Sequence, residues 1–92
     1  MLEKYLNKLL KNKNYSFHLM KIDYIKENEK FYMVYFRGRV ISYGNSSVYK
    51  IDKKTGKNEP VFLPDEDNFK LLNEFESCDF VQIPEKYRNV YF

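Results

Sequence analysis

Two side chains of the kinds that carry nucleophilic or acid–base catalysis occur once each in this chain, the imidazole of His18 and the thiol of Cys78. A catalytic triad would have to be built on His18, which lies between Phe17 and Leu19 in a segment of β-forming composition. We interpret His18 as a packed or surface imidazole. Cys78 has no adjacent cation to favour its thiolate, so we interpret it as a half-buried small hydrophobic residue. The chain is therefore predicted to have no catalytic residues and not to be an enzyme.

Metal and cofactor sites are not expected either. Zinc requires three or four cysteine or histidine ligands, and this chain has only His18 and Cys78, sixty positions apart. The acidic run at residues 65–67 lacks the alternating oxygen ligands and the central glycine of a calcium loop. The three glycines form no phosphate-binding fingerprint.

The charges are distributed unevenly along the chain. Residues 1–63 contain 13 Lys or Arg and 6 Asp or Glu, giving +7, whereas residues 64–92 contain 3 and 7, giving −4. The strongest local imbalance is at residues 65–79, where six carboxylates oppose Lys70 alone. These carboxylates are Asp65, Glu66, Asp67, Glu74, Glu76 and Asp79. We predict that they form part of a partner-binding surface; the alternative is a solvated helix whose acidic first turn favours the helix dipole.

A second candidate surface is basic. Lys50, Lys53, Lys54 and Lys57, together with Tyr49, form a basic and aromatic segment of the kind that binds nucleic acid. Lysine-rich hairpin tips are also common as solvated turns. A small nucleic-acid-binding or phage-encoded regulatory protein therefore stays as the alternative to a protein-binding domain.

Length and composition predict a single domain over residues 1–92 with one core, because 92 residues with 43% hydrophobic and 18% aromatic content favour a folded chain. The lone Cys78, the absence of a signal-peptide pattern and the lack of a long apolar run predict a cytoplasmic protein with no membrane segment. Among the nine tyrosines, Tyr32, Tyr35 and Tyr49 are expected to be exposed on the sheet as further partner contacts. Whether the chain is a monomer or a homodimer stays open.

The elements that must position these residues follow from periodicity. Apolar residues at i, i+3, i+4, i+7 and i+8 predict a helix over residues 2–12, and Asp65 is expected to cap a second helix over 66–77 that turns Phe69, Leu71, Leu72 and Phe75 toward the core. Four strands are predicted, at residues 16–25, 31–42, 47–52 and 57–63. The predicted fold class is α+β. An N-terminal helix packs on a four-stranded antiparallel meander, followed by a second helix and a short C-terminal strand or turn near 79–83.

Residues 48–57, which read VYKIDKKTGK, resemble a strand and turn that recur in small immunity proteins of bacterial polymorphic-toxin systems, of the YrhB-like and the PepSY- or cystatin-like kinds. The segments FLP at 62–64, NF at 68–69 and IPEKY at 83–87 resemble tails of such proteins, so that the likeness covers about half the chain. The resemblance implies a helix before a curled antiparallel sheet. It also implies stoichiometric inhibition of a cognate toxin by protein–protein binding. If that toxin is a nuclease, the acidic segment would imitate a phosphate backbone in its cationic groove.

Overall fold

The computed structural model describes residues 1–38, 46–62 and 65–92, and in these residues the chain has two α-helices and a five-stranded antiparallel sheet. The helices are α1 (Leu2–Leu10) and α2 (Glu66–Phe75), and a 3-10 turn covers Glu85–Tyr87. The strands are β1 (Met20–Glu27), β2 (Phe31–Gly38), β3 (Val48–Asp52), β4 (Asn58–Pro60) and β5 (Asp79–Val81). Their order in the sheet is β4-β3-β2-β1-β5.

The α+β class and the antiparallel order from β1 to β4 agree with the prediction, and the sheet has one strand more than the predicted meander. The short C-terminal strand is β5, which returns after α2 and pairs with β1 at the edge opposite β4. The first strand begins later than predicted because the N–H of Met20 bonds to the carbonyl of Phe17 in a turn, with Leu19 at φ 65. The predicted continuation of β2 over residues 39–42 lies outside the described residues.

Helix α1 covers one face of the sheet, as predicted. Tyr5, Leu6 and Leu9 recur at helical spacing and are all buried. They belong to one core cluster with residues of β1, β2 and β3, namely Ile22, Ile25, Val34, Phe36, Tyr49 and Ile51. The Tyr5 hydroxyl also donates to the carbonyl of Lys53 at 2.9 Å, which ties the helix to the turn between β3 and β4.

Helix α2 packs on the opposite face. Its Phe75 is fully buried in a second cluster with Met33 of β2 and Val61, the residue that follows β4. Because successive residues of a strand point to opposite faces, Val34 of β2 faces α1 while Met33 faces α2. The sheet is therefore the middle of three layers.

A bulge in β1 changes which of its side chains face each helix. The pairing of β1 with β2 shifts between Ile22 and Tyr24, and Asp23 in the bulge is exposed. As a result Ile22 and Ile25 both join the α1 cluster although they are an odd number of residues apart. Tyr24 is left opposite Tyr35.

The start of α2 follows the predicted capping. One side-chain oxygen of Asp65 accepts from the N–H of Asp67 at 2.9 Å and from the N–H of Asn68 at 3.2 Å. The prediction that Phe69 faces the core is wrong, because its side chain is 55% exposed. Phe69, Leu72 and Phe75 are three residues apart, and each step of three residues changes the direction of the side chain by about 60° around the helix axis. When Phe75 faces the core, Phe69 therefore faces away from it.

We expect Asp65→Ala to lower the free energy of unfolding by about 1 kcal/mol, because two backbone N–H groups of the first turn lose their acceptor. Glu74→Ala, an exposed change beyond the first turn, is the matched control and should stay within about 0.5 kcal/mol of wild type. Urea denaturation of both variants measures the difference. Equal costs would mean that the cap does not stabilise α2.

Candidate binding surfaces

The six carboxylates of the acidic segment do not form a single surface. Residues seven apart on a helix lie on the same side, whereas residues two apart lie on nearly opposite sides. Phe69 and Glu76, which are seven residues apart, therefore share one side of α2, since the backbone at Glu76 is still helical. Glu66 lies opposite the buried Phe75 and borders this side, and we call the surface of Glu66, Phe69 and Glu76 the Phe69 flank. Asp67 and Glu74 lie on the other side.

The two sides of α2 have different neighbours. Glu74 lines a hollow with Asn28, Glu29 and Lys30 of the turn between β1 and β2. Glu76 instead lines a groove between α2 and the sheet. Of the other predicted carboxylates, Asp65 caps the helix and Asp79 begins β5 opposite Glu27. The structure thus separates Glu76 from Asp67 and Glu74, with Glu66 between the two sides.

The Phe69 flank combines charge with exposed apolar surface. Phe69 is 55% exposed beside carboxylates. A second phenylalanine, Phe62, is 39% exposed, and its carbonyl accepts from the side-chain amide of Asn68 at 3.0 Å, which holds it at the beginning of α2. Large apolar side chains within a polar rim are typical of protein-binding surfaces.

The prediction that Tyr49 is exposed is wrong. Its side chain is 0% exposed and contacts the rings of Tyr15, Phe17 and Phe36, with centroid distances of 4.9, 5.3 and 5.7 Å. On β3 this position points toward α1, into the first core cluster. The hydroxyl accepts from the N–H of Ser46, and burial raises the pKa of Tyr49. Tyr49 is therefore a core residue and no longer a candidate partner contact.

The other two candidate tyrosines are half-buried on opposite faces of the sheet. Tyr32 packs against the first core cluster, with the ammonium of Lys53 4.6 Å from its ring centroid. Tyr35 faces the α2 side and stacks on Tyr24 at 4.3 Å. Phe80 of β5 meets Tyr24 edge-on at 5.6 Å and is 69% exposed. An aromatic row thus crosses β2, β1 and β5.

This row borders the groove between α2 and the sheet. The groove has a volume of about 250 Å³ and is lined by Tyr24, Lys26, Tyr35, Val48, Leu72, Asn73 and Glu76. The Lys26 ammonium donates to the carbonyl of Glu76 at 2.9 Å and lies 4.8 Å from the centroid of the Phe80 ring. A cation there satisfies the carbonyl end of α2, so Lys26 links β1, β5 and the helix.

Tyr35 is a neutral hydrogen-bond donor at ordinary pH. Burial, followed by the nearby groups Tyr24, Cys78 and Glu76, raises the pKa of Tyr35 to about 12. The unfolded chain ionises this hydroxyl near pH 10. Since the folded pKa is the higher one, the contribution of Tyr35 to stability is complete below pH 10 and is lost as the pH rises toward 12.

An absorbance titration of tyrosine should therefore show a late component near pH 12 that Tyr35→Phe reduces by one tyrosine. The same variant should lose less stability than wild type between pH 10 and 12, because it has no hydroxyl to ionise at this position. Tyr91→Phe, at a side chain that is 62% exposed, is the control and should leave the late component in place. An undiminished late component in folded Tyr35→Phe would contradict the assignment.

The basic hairpin is partly neutralised by ion pairs. Lys53 binds Glu27 at 2.6 Å, while Lys50 and Lys57 bind the two carboxylate oxygens of Glu59 at 3.5 and 3.1 Å. Lys54 is exposed at the turn. Three of the four lysines considered for nucleic-acid binding thus already have carboxylate partners. These carboxylates reduce the positive charge that the hairpin offers to a phosphate.

His18 and Cys78 lie in different surroundings. His18 is exposed, while Cys78 is half-buried, packs against the α2 cluster and places its sulfur 3.4 Å from the carbonyl of Glu74. In the part of the chain that the structure describes, no group of three or more His, Cys, Asp or Glu side chains is arranged to hold a metal ion. Neither α1 nor α2 is long and apolar enough to cross a membrane.

Sequence reasoning missed the exposed Phe69 and Phe80. Helical spacing carries the signal for Phe69, which lies about 120° from Phe75 around the helix axis. The position of Phe80 depends on the pairing of β5 with β1, which the sequence does not reveal. No family model, no curated protein and no solved structure matches this chain.

Proposed function

We propose that this chain is a non-catalytic domain that binds a protein partner through the Phe69 flank of α2. The observation that carries the proposal is a 55% exposed phenylalanine on a helix surface that also presents Glu66 and Glu76. Aromatic anchors surrounded by a polar rim contribute most of the free energy in protein–protein interfaces. Carboxylates on that rim speed association with a basic partner.

The resemblance at residues 48–57 gives this partner a class. An immunity protein inhibits its toxin by occupying a functional surface one to one, and no catalytic group is needed. We therefore propose a bacterial toxin as the partner and the cytoplasm as the compartment. A basic surface on the toxin, such as the substrate groove of a nuclease, complements the carboxylates of the Phe69 flank.

The experiment is capture followed by titration. Tagged wild-type protein and the tag alone are used as parallel baits in a lysate of the source cells, and a protein retained by the first bait but not by the second is the candidate partner. Calorimetric titration of the purified pair should give a stoichiometry near one, and the complex should lack the partner's toxic activity. Equal retention of that protein by wild-type and Phe69→Ala baits, or retained toxic activity in the complex, would overturn the proposal.

A further inference from the structure

A second surface lies on the same side of the sheet as α2 but beyond the helix. In β2, Met33, Tyr35 and Arg37 are two residues apart and share a face, and Met33 belongs to the α2 core. Lys21 is paired with Arg37, and Tyr24 is paired with Tyr35. With Phe80 of the neighbouring strand, these residues form what we call the open sheet face: Lys21, Tyr24, Lys26, Tyr35, Arg37 and Phe80.

The cross-strand pair on this face has like charges. Lys21 and Arg37 are directly opposite each other in the register of β1 and β2, an arrangement that destabilises a sheet. Within residues 1–38, 46–62 and 65–92, the three ion pairs all lie elsewhere, at Lys50, Lys53 and Lys57. A bound anion would relieve the repulsion, so the pair is suited to contact phosphate.

Exposed aromatic rings flank these cations. Phe80 is 69% exposed at one end, next to Lys26. Tyr91 is 62% exposed at the other end, with the Lys21 ammonium 5.4 Å from its ring centroid. Cations interleaved with accessible rings on a sheet are a platform for unpaired bases, which stack on the rings while the backbone meets the cations.

Two carboxylates limit the positive charge of this surface. Glu76 lines the adjoining groove, and Asp23 is exposed in the β1 bulge. Against them stand Lys21, Lys26 and Arg37, so the surface keeps a modest positive excess. Binding of a polyanion here should therefore weaken moderately as the salt concentration rises.

We infer that the open sheet face binds single-stranded nucleic acid, with phosphates at Lys21 and Arg37 and a base on Phe80. A duplex is disfavoured because its base faces are stacked inside the helix and are inaccessible to rings on a flat sheet. This activity goes beyond the proposed protein binding, since its contacts at Lys21, Arg37 and Phe80 are not part of the Phe69 flank, which adjoins the open sheet face at Glu76. The two activities are consequently separable by mutation.

The test is fluorescence anisotropy with labelled 12-nucleotide single strands of uridine and of thymidine, and with a duplex of the same length, at several salt concentrations. Two phosphate contacts predict a slope of log K against log salt of about −1.4 for the single strands. The variant Lys21→Gln with Arg37→Gln should bind at least about 10-fold more weakly at low salt and should bring the slope close to zero. Phe80→Ala should weaken binding by about 5-fold or more while leaving the slope unchanged, because it removes stacking and no charge.

The matched control is Lys4→Gln with Lys8→Gln, which removes the same charge from exposed positions of α1 on the other side of the sheet. It should keep the affinity within about twofold of wild type. Melting temperatures are measured to check that each variant is folded. If the variant Lys21→Gln with Arg37→Gln is unfolded, Phe80→Ala still tests the inference. The inference is overturned if the protein does not bind the single strands, or if it binds the duplex with equal affinity. It is also overturned if the α1 control loses as much affinity for the single strands as the sheet variant does. Binding of phosphatidylserine vesicles without binding of the oligonucleotides would overturn it as well.

Discussion

Replacing Tyr49 with alanine should lower the free energy of unfolding by about 3–5 kcal/mol, the usual cost of removing a buried aromatic ring. The side chain is 0% exposed and contacts three other rings, so the substitution leaves a cavity in the α1 core. It also leaves the N–H of Ser46 without its acceptor. Because a domain of this size has a total stability of about 5–15 kcal/mol, this variant should be close to unfolding at ordinary temperature.

Two further variants separate the contribution of the ring to stability from that of the hydroxyl, and that of a buried tyrosine from that of an exposed one. Tyr49→Phe keeps the ring and loses the hydrogen bond, so its cost should be about 1 kcal/mol. Tyr91→Ala removes a tyrosine that is 62% exposed and should change stability by no more than about 0.5 kcal/mol. Urea denaturation measures all three. A cost below about 1 kcal/mol for Tyr49→Ala would mean that Tyr49 is not a core residue.

The contrast between Tyr49 and Phe69 shows where sequence reasoning works and where it stops. Helix α1 was predictable because one apolar stripe alternates with exposed lysines, and the cap at Asp65 was predictable because the chemistry is local. Which side chains of the sheet are buried was not predictable in this way. Since helices cover both faces, Phe31 to Phe36 is an uninterrupted run of apolar and aromatic side chains, and the alternation that marks an inner and an outer face is absent.

The candidate surfaces also depend on long-range pairing. The bulge at Asp23 sets which face Tyr24 occupies, and the return of β5 to β1 places Phe80 beside it. Neither feature has a signal in the local pattern of residues. The six-carboxylate segment was evident from composition, but its division into two sides of α2 required the exact extent of the helix.

The second large effect is expected at the interface with the protein partner, where the chain offers a matched pair of acidic positions. Glu76→Lys and Glu74→Lys make the same change at exposed glutamates beyond the first turn, on opposite sides of α2. Glu76→Lys should slow association and weaken the complex by about 10-fold or more, whereas Glu74→Lys should have a small effect. Surface plasmon resonance with the captured partner measures both rates. A larger loss for Glu74→Lys would place the interface on the other side of the helix.

Affinity of the captured partner for Phe69→Ala tests the central claim most directly. An aromatic anchor contributes about 2 kcal/mol or more, so Kd should rise by roughly 30-fold or more. The melting temperature should be nearly unchanged, because Phe69 is 55% exposed. Phe80→Ala, which removes an even more exposed phenylalanine from the open sheet face, should leave Kd within about twofold of wild type. An unchanged Kd in folded Phe69→Ala would contradict the assignment of α2 as the partner-binding surface.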